Sequence, residues 1–133
     1  MPSVAGGFHE GYFCSTRRRF LSRRLATVAP AEAASFNCAK AQTADEIAIC
    51  KTQILSDLDM QMATLYGVRM QIPMLMGAKG AAQDEQRAFL TQRGACGGDV
   101  ACIQQAYLTR IAVLNQTIQA AMHDYCLKLG ICG

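Results

Sequence analysis

The chain has 133 residues, 51% of them hydrophobic, with seven Cys and no Trp. That leaves room for one domain behind a leader and enough apolar content to exclude a disordered chain. Its formal charge of +3 belongs to residues 1–33, where five Arg face Glu10 and Glu32; residues 34–133 balance to zero, which excludes a nucleic-acid binder with a basic, phosphate-neutralising face.

Residues 1–33 read as an export leader or a disordered basic arm. Thr16-Arg17-Arg18-Arg19-Phe20-Leu21-Ser22 resembles the twin-arginine motif of exported bacterial proteins. Ala31-Glu32-Ala33 offers small residues at the two positions a signal peptidase reads, with cleavage before Ala34. The apolar run between them is short, because Arg23 and Arg24 interrupt it. The expected compartment is therefore bacterial and periplasmic or secreted, with twin-arginine and general secretory routing both open. No run reaches the roughly 18 apolar residues of a membrane span.

Residues 34–133 read as one all-α unit: a small, disulfide-stapled, antiparallel bundle with a short entry helix and three longer ones. Thr43-Ala44-Asp45-Glu46 is a capping box, and the first helix runs from it to about Cys50. From Thr52 to Ile72, Leu55, Leu58, Met62, Leu65, Tyr66, Val68 and Ile72 recur at helical spacing. Pro73, Gly77 and Gly80 end that helix and set a turn over residues 74–80. A third helix is expected from about Ala81 to Gly94, with Ala82, Phe89 and Leu90 on its buried side. Gly94, Gly97 and Gly98 close it, and Asp99 caps the last helix. There Ile103, Tyr107, Arg110/Ile111, Leu114, Ile118, Ala121/Met122 and Tyr125 form a nearly strict heptad that reaches about Cys126. That helix outlasts its neighbours, so its final turns are expected to project or to pair, as a monomer or weak dimer.

Six cysteines behind an export-like leader read as a disulfide framework. The close paired spacing of a structural zinc site is missing, and His123 is the one His of residues 34–133. Short connections make successive helices antiparallel, which gathers Cys38, Cys50, Cys96 and Cys102 at one end and Cys126 and Cys132 at the other. The expected bridges are Cys38–Cys50, Cys96–Cys102 and Cys126–Cys132, with swapped pairing among the first four left open.

No nucleophile–base arrangement, phosphate loop or dinucleotide motif is present in the sequence, so no catalytic residue and no cofactor is assigned. His123 beside Asp124 reads as a solvated surface pair. Met60, Met62, Met70, Met74 and Met76 could hold Cu(I) through thioethers, but methionines more often fill an irregular core. Lys40, Glu46, Asp59, Arg87, Arg93 and Arg110 are charges set among apolar positions and read as a structural ion-pair network, since a buried Arg must be paired.

Two stretches resemble the lysozyme inhibitor LprI-like N-terminal domain family. The first holds Phe36-Asn37-Cys38-Ala39-Lys40-Ala41, Thr43, Glu46, Ile49-Cys50, Leu55, Leu58-Asp59 and Tyr66. The second holds Gln86-Arg87-Ala88-Phe89-Leu90, Arg93, Cys96, Cys102-Ile103, Tyr107 and Arg110-Ile111. The likeness spans about Ser35 to Leu114; Phe89 stands where the family often has Trp, and Cys126 and Cys132 lie outside the pattern. It implies a small exported helical domain that binds a protein, with a lysozyme as the named example. Inhibition would require a group that enters a cleft holding two carboxyls. Lys79, in the expected Gly77–Gly80 turn, is the candidate partner contact. The alternative is an envelope structural or assembly protein that uses the long last helix as its partner surface.

Overall fold

The computed structural model describes residues 34–73 and 76–132; the leader expected over residues 1–33 lies outside them. Four α-helices follow a 3-10 turn at Cys38–Lys40: α1 (Ala44–Lys51), α2 (Gln53–Gln71), α3 (Met76–Ala95) and α4 (Val100–Leu129). No strand occurs among the described residues. The fold is an all-helical bundle stapled by disulfides.

Local chemistry sets each boundary. At α1 the Glu46 carboxylate accepts the backbone N–H of Gln42 at 2.9 Å and of Thr43 at 3.2 Å, filling the role of a capping-box acid. The chain bends at Thr52, the one residue between α1 and α2, and Ser56 Oγ holds the bend by donating to the Ile49 carbonyl at 2.7 Å. Pro73 follows the end of α2, where it cannot continue the hydrogen-bond ladder. Gly97 adopts φ 56° in the link to α4, and Asp99 caps α4 by accepting from the Cys102 amide at 3.0 Å. Gly130 closes α4 in the left-handed region, φ 66°, with Ile131 N–H donating to the Cys126 carbonyl at 3.2 Å.

α4 is the spine. It packs most extensively on α2 and also touches α3 and α1. Ile49, Leu55, Met62, Phe89, Ile103, Ala106, Tyr107, Ile111 and Leu114 form one buried cluster. The Phe89 and Tyr107 rings meet with centroids 5.4 Å apart at 59°, the tilted geometry aromatic pairs prefer. Cys38 is bridged to Cys50, Cys96 to Cys102 and Cys126 to Cys132, with Cα separations of 5.7, 5.6 and 5.3 Å. The first bridge pins the entry segment to α1. The second closes the α3–α4 link, and the third folds the tail onto the last turn of α4.

Three expectations need correction. α3 begins at Met76 rather than Ala81, so Lys79 sits in its first turn and not on a loop; Ala78, Ala81 and Ala82 supply helix propensity that Gly77 and Gly80 do not cancel. Leu90 and Val68 are exposed. The core-facing stripe of α3 runs Ala82, Gln86, Phe89, Arg93 and that of α2 runs Leu55, Asp59, Met62, Arg69; at 3.6 residues per turn Leu90 lies about 70° and Val68 about 135° from the centre of its stripe. Finally, α4 continues to Leu129, three residues past Cys126.

Candidate functional site

One buried polar residue from each helix meets at the disulfide-bridged end of the core: Asp45 of α1, Asp59 of α2, Arg93 of α3 and Tyr107 of α4. All four are nearly inaccessible. Arg93 Nε donates to Asp45 Oδ2 at 2.8 Å and Arg93 Nη1 to the Tyr107 hydroxyl at 3.1 Å. That hydroxyl donates in turn to Asp59 Oδ1 at 2.8 Å. The other Asp59 oxygen accepts the Ser35 amide at 2.7 Å, which ties the entry segment to the same hub. Arg93 and Asp59 lie 3.9 Å apart. Two carboxylates thus face one guanidinium and a phenol, and their lone pairs are taken up as buried charges require.

The electrostatics follow from this wiring. Burial raises the Asp45 carboxyl, but the Thr43 hydroxyl and the Arg93 guanidinium outweigh it and hold the group below the usual carboxylate range. Burial and then the neighbouring Asp59 charge push the Tyr107 phenol far up, so it stays a neutral donor. The hub is consequently a fixed set of filled hydrogen bonds.

A second polar link crosses the middle of the bundle. Arg110 Nε and Nη2 both donate to Gln86 Oε1 at 3.2 Å, and Arg110 Nη1 lies 3.5 Å from Glu85. Gln86 Nε2 donates onward to the Met62 sulfur at 3.2 Å. Arg69, at the far end of α2, differs from both: it is buried, its Nε has no hydrogen-bond partner, and it joins no ion pair among the described residues.

Of the residues expected to form an ion-pair network, the structure brings Asp59 and Arg93 together, and Arg110 into its own cluster. Lys40, Glu46 and Arg87 do not join them. Lys40 is exposed on the 3-10 turn, Glu46 is spent on the α1 cap, and exposed Arg87 pairs with Asp84 one turn away. Asp45 takes the place given to Glu46. Its signal was present in the sequence: it precedes Ile49 by four residues, so the two share a face. Tyr107 counted only as an apolar heptad member, although a buried phenol needs a partner. Lys79 is exposed on α3, and His123 is exposed on α4. Met62 belongs to the core, while Met60 is exposed. Met74 and the side chain of Met76 lie outside the described residues. No group of three or more His, Cys, Asp or Glu placed to hold a metal occurs among the described residues.

The other distinctive region lies at the opposite end. Val68, Gln71, Ile72, Pro73, Met122 and Tyr125 line an open groove between α2 and α4, largely apolar in its walls. No described helix is long and apolar enough to cross a membrane. Comparison with known proteins gave no matching family model, no matching curated protein and no matching solved structure.

Proposed function

We propose that this chain is a non-enzymatic, exported bacterial binding protein, periplasmic or secreted, whose partner is another protein. The observation that carries this reading is the use of its polar groups. The buried carboxylates and cations near the disulfides are bonded to one another, which suits a rigid frame for presenting a surface to a partner. Three disulfides in so small a domain suit an oxidising compartment.

A lysozyme is the partner to test first, on the strength of the resemblance over Ser35 to Leu114 to the LprI-like family. Lys79, exposed in the first turn of α3, is the cation this reading offers to an acidic cleft. The test is the rate of cell-wall lysis by animal-type and goose-type lysozymes, titrated with the oxidised chain. Saturable inhibition that disappears on reduction supports the reading, and Lys79→Ala weakens it. Undiminished lysis at tens of micromolar of folded chain rejects lysozyme as the partner.

The extra length of α4 favours a second reading, an envelope assembly protein that engages its partner through this helix. A partner captured from envelope extracts through the wild-type last turns of α4, and lost when those turns are made polar, would support it.

A further inference from the structure

α2 and α4 pack against each other but differ in length, 19 residues against 30. At 1.5 Å per residue the difference carries about 16 Å of α4 beyond the end of α2. The apolar stripe of α4 does not stop where α2 stops. Tyr107, Ile111 and Leu114 are buried; Ile118 and Ala121 are half-buried; Met122, Tyr125 and Leu129 continue the same stripe and are 59, 40 and 62% exposed. Spacings of three and four persist throughout, so the exposed turns carry the pattern of a helix that packs on another helix.

These turns are also held in place. An end without tertiary contacts ordinarily frays. Here the left-handed Gly130 cap and the Cys126–Cys132 bridge close the final turn. A stiffened helix end whose apolar stripe is 40–62% exposed is a pre-organised contact surface.

We propose that the occupant of this surface is a second copy of the chain, whose α4 lies antiparallel to the first. The stripe is self-complementary about its own midpoint, which a two-fold interface requires. With the axis between residues 123 and 124, Met122 meets the partner's Tyr125 and Ile118 meets the partner's Leu129. His123, Asp124 and Lys128 sit off the stripe, and Asp124 and Lys128 are already paired within one chain, so the approach sets no unpaired like charges face to face. The exposed parts of Val68, Met122, Tyr125 and Leu129, with the groove walls Ile72 and Pro73, offer at most on the order of 500 Å² per copy. A symmetric pair then buries at most about 1,000 Å², the lower edge of specific interfaces. The dimer is correspondingly weak and reversible, with a dissociation constant of about tens of micromolar or above.

Sedimentation equilibrium of the full oxidised chain, from about 1 to 500 µM, tests this. The weight-average mass should rise from 14.4 kDa towards twice that value. The double variant Met122→Glu/Leu129→Glu should raise the dissociation constant at least tenfold. Its thermal midpoint at low micromolar concentration, where wild type is monomeric, should stay close to that of wild type because both side chains are more than half exposed, at 59 and 62%. A benzophenone amino acid at position 122 should cross-link to the partner's Tyr125 region, read from mixed isotope-labelled chains. A constant mass of 14.4 kDa at every concentration overturns the proposal. So does a dimer that the double variant leaves intact, or a cross-link only within one chain to residues 1–33, which would make that segment the occupant. The proposal stands apart from the lysozyme reading: a chain that dimerises this way and leaves lysis untouched upholds it.

Discussion

At the residue scale, the hub explains how a bundle this small keeps two carboxylates in its core. Asp45, Asp59, Arg93 and Tyr107 are each satisfied by the others, so removal of one strands its neighbours. Tyr107→Phe should cost about 1–3 kcal/mol, and Asp45→Asn about 2–4 kcal/mol, in denaturant unfolding. The acid limb has a definite sign. Backbone N–H bonds from Gln42 and Thr43 hold Glu46 low, and the Thr43 hydroxyl and Arg93 hold Asp45 low against the opposing effect of burial. Both folded values lie below the unfolded ones, so their stabilisation is complete above pH of about 5 and is lost as pH falls through the folded values. The gap in unfolding midpoint between wild type and Asp45→Asn should therefore be wide at neutral pH and narrow in acid. Tyr107, raised mainly by burial, acts in the other direction: its contribution holds below pH of about 10 and is lost only in strong base. Arg69 is the exception among the buried charges, because its Nε lacks a partner. Arg69→Met should leave stability unchanged or raise it by about 1 kcal/mol, whereas Arg93→Met should lower it by about 3 kcal/mol or more. Equal losses at the two sites would show that Arg69 has a partner after all.

At the element scale, most of the bundle is legible in the sequence because caps and breakers are local chemistry. The Thr43–Glu46 box, Pro73 and the Asp99 cap each set a boundary within a residue or two of its observed place. The start of α3 is harder to read. Gly77 and Gly80 signal a turn in isolation, yet nothing approaches within 4 Å of the Cβ position at either, and the surrounding alanines carry the helix through them. Leu90 and Val68 show the same limit. Both are apolar, but the helical stripe is decided by which side meets α4, and polar Gln86 and Arg69 lie on it instead. The two halves of α4 should respond differently to truncation. Leu114→Ala removes a fully buried side chain and should cost about 2–5 kcal/mol. Leu129→Ala removes one that is 62% exposed and should cost less than about 0.5 kcal/mol in the monomer. Chemical denaturation at low micromolar concentration separates them.

At the scale of the whole molecule, the division is between an end that is locked and an end that is open. Disulfide Cys38–Cys50, disulfide Cys96–Cys102 and the four-residue hub secure the first; the long α4 carries the second past its neighbours. The hub was half legible. Arg93 and Asp59 are legible as charges set among apolar positions, whereas Asp45 and the Tyr107 hydroxyl become partners only when four helices converge, and pairwise spacing along one helix carries no such information. The absence of a net charge over residues 34–133 also bears on function, because association with a partner must then depend on shape and apolar contact more than on long-range steering. The proposed function is the binding of a partner protein, with a lysozyme first among the candidates. The measurement that tests it most directly is lysozyme-driven lysis titrated with the oxidised chain. The account predicts saturable inhibition that is lost when the disulfides are reduced. Full lysis in the presence of tens of micromolar of folded, oxidised chain would contradict it.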